Sequence, residues 1–221
     1  MTLSNVEAIR AVVLADEERM KYHPLSRVQK DLETMLSGPL NVSFTEDYDV
    51  LLAERSRDYE LLVAYTDRWD AAVTEEQAEG LISFVRNGGG LVVLHTGVSL
   101  SIHDKLHELI GARFIGHPPY QKLSFQRIEE GNAVLHPIVR ELEPFESEDE
   151  PYRYAMLEST EKQVIVEYRQ DGVAYPAAWV RHEGRGRIVS LMPGHNANSL
   201  QHPEVRKLIL SACLWVAGRL D

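Results

Sequence analysis

The segment that most constrains this chain is Gly88-Gly89-Gly90-Leu91-Val92-Val93-Leu94-His95-Thr96-Gly97. A glycine turn feeds an apolar run without polar alternation. That is the pattern of a strand buried on both faces, as in a parallel sheet covered by helices. The run then delivers an imidazole and a hydroxyl into a second glycine turn. In open α/β sheets ligands bind outside the carboxyl ends of the strands, so His95 and Thr96 are the first candidates for a site.

The flanking sequence supplies the rest of such a sheet. Residues 10–14 and 61–65 read as further buried strands, and residues 40–44 alternate as a shorter one. A polar loop over residues 15–23 follows the first of them. After Pro24, Leu25, Val28, Leu32, Met35 and Leu36 recur at helical spacing until Ser37-Gly38-Pro39. Thr74-Glu75-Glu76-Gln77 is a capping box opening a helix whose inward stripe is Ala78, Leu81, Ile82 and Val85. Another helix is expected over about residues 101–110, stopped by Gly111.

From Gly116 to about Trp179 the pattern changes. Short alternating runs at residues 123–128, 163–168 and 175–180, separated by acidic or Gly- and Pro-bearing loops, read as antiparallel strands. Residues 187–191 form one more strand, ending at Pro193-Gly194-His195. Pro203 opens a last helix with Val205, Leu208, Ile209, Ala212, Trp215 and Val216 inward and Gly218 as its stop. Strand–helix alternation implies parallel βαβ units. The expectation is a single doubly wound α/β domain over residues 1–221, mostly parallel with an antiparallel extension in its second half. The acidic loop at residues 141–150 is the nearest thing to a boundary.

A net charge of −11, from 34 Asp plus Glu against 23 Lys plus Arg, disfavours nucleic acid and anionic membranes as partners. The single cysteine, Cys213, cannot close an intrachain disulfide and fits a reducing cytosol. Within residues 1–20 the apolar run at 11–15 is too short, and too acidic behind, for a signal peptide or membrane span. A cytoplasmic protein is expected, and a homo-oligomer is allowed.

Three histidines, His23, His95 and His195, sit just past expected strands, where loops from one sheet edge converge. Neutral imidazole near pH 7 serves as base or metal ligand, or simply bonds backbone in a loop. Glu148-Asp149-Glu150 precedes Pro151-Tyr152; these carboxylates either orient histidines or complete a metal site, or form a solvated loop face. The His-Pro pairs place His136 and His202 at turn or helix starts and leave His117 open, while His103, His107 and His182 read as surface positions. Arg187 is expected to pair with an acidic neighbour, and Cys213, Trp179 and Trp215 to be core. No G-x-G-x-x-G follows the first strand, and no P-loop, H-E-x-x-H or G-x-S-x-G is present.

Taken in order, the pieces form a recognisable set. His23 comes first, then residues 88–95, Leu109-Ile110-Gly111-Ala112-Arg113-Phe114-Ile115-Gly116-His117-Pro118, and His136-Pro137-Ile138. Asp149-Glu150-Pro151-Tyr152, Ala178-Trp179 and Gly184-Arg185-Gly186-Arg187-Ile188 follow. Pro193-Gly194-His195 and Leu214-Trp215-Val216-Ala217-Gly218 close it. From about residue 9 to 218 this resembles the ThuA-like (trehalose utilisation) family. Pro151 departs from the family's usual aliphatic residue, and Leu200-Gln201 lacks its aromatic pair.

The resemblance implies a fold similar to class I glutamine amidotransferases, a flavodoxin-like three-layer sandwich. His95-Thr96 would stand at the elbow that carries a cysteine in those enzymes, and His195 in their histidine loop. With no cysteine near position 95, thiolate glutaminase chemistry is not expected. The family's link to disaccharide catabolism implies an enzyme acting on a carbohydrate or keto-sugar as hydrolase, isomerase or lyase. His95, His195, Glu150 and Asp149 would then be the catalytic set, with His23, Thr96, His117 and Tyr152 contacting substrate. A divalent ion such as zinc would sit on His95, His195 and a carboxylate. The alternative is a non-catalytic sugar-binding or regulatory domain with a degenerate amidotransferase-like fold.

Overall fold

The computed structural model describes residues 8–17, 22–129 and 134–221. Strand β1 (Ile9–Ala15) leads through a 3-10 turn and helix α1 (Gln29–Leu36) to β2 (Leu40–Thr45). Helix α2 (Ala53–Ser56), β3 (Leu61–Tyr65), α3 (Glu75–Arg86) and β4 (Gly90–Leu94) follow. After the 3-10 helix His95–Ile102 come α4 (Asp104–Ile110) and β5 (Ala112–Gly116). The second half holds β6 (Gln121–Arg127), β7 (Phe145–Asp149), β8 (Arg153–Met156), β9 (Gln163–Gln170), β10 (Val173–Glu183) and β11 (Gly186–Leu191). Helices α5 (Ala197–Gln201) and α6 (Pro203–Val216) close the chain. Residues 18–21 of the loop expected after β1 lie outside the described residues.

Nine strands form one sheet in the order β2-β1-β3-β4-β11-β10-β9-β6-β7. The run from β2 to β11 is parallel, and every pairing from β11 to β7 is antiparallel. This is the mixed α/β architecture expected from the buried runs. Helices α1, α5 and α6 contact one another, and α2, α3 and α4 form a second group. Two helical layers explain why β3 and β4 carry no polar alternation: every residue in both is buried. The Thr74–Gln77 capping box is present in both directions. His136 and His202 each accept from a backbone N–H two residues on, so both are caps. Trp179, Trp215 and Cys213 are core, and Arg187 bonds the Trp215 carbonyl and pairs with Asp221.

Four expectations change. The acidic stretch is no boundary loop: Phe145–Asp149 is a strand, with Phe145, Ser147 and Asp149 buried and Glu146 and Glu148 outside. The alternation shows one acidic face and one buried face. Gly97 makes no turn but lies inside the 3-10 helix, where a Cβ would overlap the Ala64 carbonyl, so it serves the close approach of that helix to β3. His103 and His107 are half-buried rather than surface residues. The small antiparallel pair of β5 and β8 and helix α5 carry no strong local pattern and emerge only in the assembled fold.

Candidate functional site

The parallel strands point their carboxyl ends to one edge, and the side chains that converge there leave from four of them. His23 follows β1, Asp67 follows β3, His95 follows β4 and His195 follows β11. Glu150 follows β7 at the far end of the sheet order, and it nonetheless reaches the same point. One ligand atom each from His23, His95, Glu150 and His195 lie within 4.8 Å of one another. Glu150 Oε2 stands 3.4 Å from His95 Nε2, 3.5 Å from His23 Nε2 and 3.2 Å from His195 Nδ1. His23 Nε2 and His195 Nδ1 are 2.9 Å apart.

The backbone puts strain where the cluster needs it. His95 has φ +46°, one of two described non-glycine residues in the left-handed region, and this aims its ring back across the strand ends. Its Nδ1 lies 2.6 Å from the Met192 carbonyl, so Nδ1 carries the hydrogen and Nε2 presents a lone pair to Glu150. The His195 loop is tied down on two sides. The Tyr65 hydroxyl donates to the Gly194 and His195 carbonyls, and Gly194 N–H donates to Asp149.

Asp149 therefore sits behind the cluster. It is fully buried, and its oxygens accept from Glu150 N–H, Gly194 N–H and the Ser199 hydroxyl. Its Oδ1 is 3.7 Å from His95 Nδ1, on the side of the ring turned away from Glu150. Thr96 is likewise fully buried and gives its hydroxyl to Asp67 Oδ1, so it reaches a ligand only through Asp67. Both predicted site residues therefore stand behind the cluster and do not line the cleft. Tyr152 packs its ring on His95 at 4.3 Å, and His117 Nε2 lies 3.9 Å from Glu150 Oε1.

Asp67 went unnoticed in the sequence. Its Oδ2 lies 3.0 Å from His23 Nδ1, while Oδ1 accepts from Trp69 Nε1 and Thr96. The one available signal was its position, directly after a buried parallel strand.

The charges follow from these contacts. Burial disfavours the His23 imidazolium, but the carboxylates of Asp67 and Glu150 outweigh it and raise its pKa to about 9. Burial lowers the pKa of His95, with the Glu150 carboxylate acting against it. Burial also opposes ionisation of Glu150, yet three imidazoles hold it well below the usual carboxylate range. Burial pushes the Tyr152 hydroxyl well above its ordinary value.

The donor set suits a divalent cation. Ligand atoms on a tetrahedron with bonds of about 2.0–2.1 Å are about 3.3 Å apart, close to the four separations just given. His95 Nε2 and Glu150 Oε2 are both buried without a hydrogen-bond partner among the described residues. Met192 and Asp67 face the outer nitrogens of His95 and His23, the second-shell arrangement that orients metal-binding imidazoles. Beside the cluster opens a cleft of about 1000 Å³, lined by His23, Glu150, Tyr152, His117, Tyr48, Trp69 and Phe114 among others.

A family model described as trehalose utilisation, ThuA, matches residues 10–216. The chain belongs to the ThuA family. The fold agrees. A ThuA-like protein of Parabacteroides merdae superposes with TM-score 0.79 at 18% identity, over 97% of this chain and 92% of that one. A ThuA-like protein of Bacteroides uniformis gives 0.77 at 15%, over 98% and 94%. A cold-adapted β-galactosidase of Rahnella sp. R3 gives 0.65 at 16%, over 93% of this chain but 31% of its own, so there the ThuA-like fold is one part of a larger protein. No curated protein matches the chain. Among the described residues no helix is long and apolar enough to cross a membrane. Membership in the ThuA family supports a carbohydrate-related role in general.

Proposed function

We propose that this ThuA family member is a metal-dependent enzyme that transforms a disaccharide or keto-sugar in the cleft beside the histidine cluster, without glutaminase activity. One observation carries the reading: three imidazoles and a carboxylate bring ligand atoms within 4.8 Å of one another beside a cleft of sugar size, and two of those atoms, His95 Nε2 and Glu150 Oε2, have no hydrogen-bond partner among the described residues. His23, His95, His195 and Glu150 would hold the ion, and a bound divalent ion there supplies Lewis acidity toward a sugar carbonyl or hydroxyl oxygen. Asp67 and Met192 fix the ring orientations from outside. Asp149 keeps Glu150 and the His195 loop in register. His117 borders the open cleft and is the group placed to move a proton to or from substrate, while Tyr152 packs beside it. Glutaminase chemistry is left out because the elbow residue is His95 and Cys213 is buried in α6, where burial pushes its thiol up to about 12. The setting would be cytoplasmic, with a small sugar as partner.

Elemental analysis of the purified protein, with assays of disaccharides and 3-keto-disaccharides before and after chelation, tests this. A stoichiometric divalent ion is expected, with turnover lost on chelation, restored by metal and abolished by His95→Ala. Full turnover by metal-free protein would overturn the metal, and sugar binding without turnover would make the protein a binding domain.

A further inference from the structure

The cleft beside the histidine cluster carries a feature the catalytic reading does not use. Trp69 is 37% exposed in a protein that buries its other tryptophans, Trp179 and Trp215, to 1% and 4%. An indole left open to water is costly unless something covers it. This one is also held still. Its Nε1–H donates to Asp67 Oδ1 at 2.7 Å, and its ring rests against Phe114 at 4.9 Å with the planes at 45°. Both rings line the cleft. The second oxygen of the same Asp67 faces His23, so one carboxylate fixes the aromatic shelf relative to the cluster. The lining is also acidic. Asp16, Glu17, Glu46 and Asp70 are part of it, and the guanidinium of Arg68 lies over the Tyr48 ring at 5.1 Å.

A pinned, half-exposed indole beside carboxylates is the chemistry of a pyranose subsite. The apolar C–H face of the sugar lies on the ring, and its hydroxyls donate to the carboxylates. A phosphate or carboxylate on the sugar meets four acidic side chains in a chain of net charge −11. We propose that Trp69, braced by Phe114 and anchored by Asp67, is the platform for the second ring of an uncharged disaccharide, and that the acidic wall excludes phosphorylated and acidic sugars. This rests on the proposed function for the first ring and adds the residue that determines substrate length and charge.

The three-tryptophan arrangement supplies the assay, because acrylamide reaches only Trp69 of the indoles. Intrinsic fluorescence of the full chain is followed with acrylamide against trehalose, maltose, sucrose, lactose and their 3-keto forms, with glucose and the phosphorylated form of the tightest binder as comparators. The tightest disaccharide should lower the quenching constant at least twofold, glucose far less, and the phosphorylated form should bind at least tenfold more weakly. By calorimetry, Trp69→Ala should raise the disaccharide Kd at least tenfold with little change for glucose. Trp69→Phe should recover most of the loss, and an unchanged urea midpoint shows that the fold is intact. Disaccharide affinity independent of Trp69, or equal affinity for the phosphorylated form, overturns this proposal and leaves the function at the cluster standing. Failure of the parent protein to bind any of these sugars overturns both.

Discussion

Replacing Asp149 by asparagine removes one charge and almost no volume, so its cost measures what that carboxylate does. Asp149 is fully buried and accepts three hydrogen bonds: 2.8 Å from Glu150 N–H, 2.9 Å from Gly194 N–H and 2.5 Å from the Ser199 hydroxyl. An asparagine amide keeps one acceptor oxygen and turns the other into a donor. With the oxygen toward Gly194 and Ser199, its NH₂ faces the Glu150 N–H, and a buried donor loses its partner. Leaving the Glu150 N–H without its charged acceptor costs about 1.5–3 kcal/mol, and the new amide NH₂, which meets that donor and no acceptor, costs about 1–3 kcal/mol more. The two surviving bonds also weaken once the acceptor is neutral. The sum is about 4 kcal/mol, which for a chain of 221 residues corresponds to a Tm lower by roughly 8–16 °C. Ser199→Ala removes a single bond and should cost about 2 kcal/mol. Urea unfolding followed by circular dichroism, with calorimetric Tm, gives both numbers. If Asp149→Asn stays within about 1 kcal/mol of the parent, or costs less than Ser199→Ala, Asp149 is not the strut between Glu150 and the His195 loop.

Two further outcomes follow from the packing. Gly97→Ala places a methyl on the Ala64 carbonyl and should cost about 3 kcal/mol or more, with the largest loss of amide-exchange protection at the β4 end that carries His95. His136 is half-buried beside Trp215; burial first, then His182 and Arg187, lower its pKa from 6.5 to about 4. Between those values the unfolded chain binds a proton that the folded one refuses. This contribution is therefore full above about pH 6.5 and is lost as pH falls toward 4. Allowing for partial exposure it amounts to about 2 kcal/mol. His136→Asn keeps a cap acceptor and does not titrate, so its urea-derived stability should drop about 2 kcal/mol less than the parent's from pH 7 to pH 4. Parallel pH profiles for the two proteins would refute that account.

The parallel half of the fold was legible because burial on both faces leaves its own mark, as in Leu61–Tyr65 and Gly90–Leu94. The histidines were legible because each directly follows such a strand or its loop. What escaped depends on contacts far apart in sequence. Phe145–Asp149 looked like a solvated acidic loop, since nothing local reveals that Asp149 will find Gly194 and Ser199 inside the protein. Asp67 escaped for the same reason. Trp69 is in its own loop, but His23 and Thr96 come from two other segments, and only the folded sheet brings them to this carboxylate. Thr96 was placed correctly beside His95, but its direction was not readable, because φ +46° at His95 redirects the chain there.

The pairing of β4 with β11 acts as a ruler. Leu94 lies opposite Leu191, the next residues along are His95 and Met192, and the rings of His95 and His195 end 5.4 Å apart. Neighbouring strands in any sheet are spaced at about 4.8 Å, so main-chain pairing sets the two starting points, and Tyr65 and Asp149 then hold the His195 loop over them. The whole antiparallel half of the molecule is spelled out between those two histidines. Much of it can lengthen, shorten or be rebuilt without moving those two strand ends, but not the segment of Asp149 and Glu150, which holds the His195 loop and completes the centre.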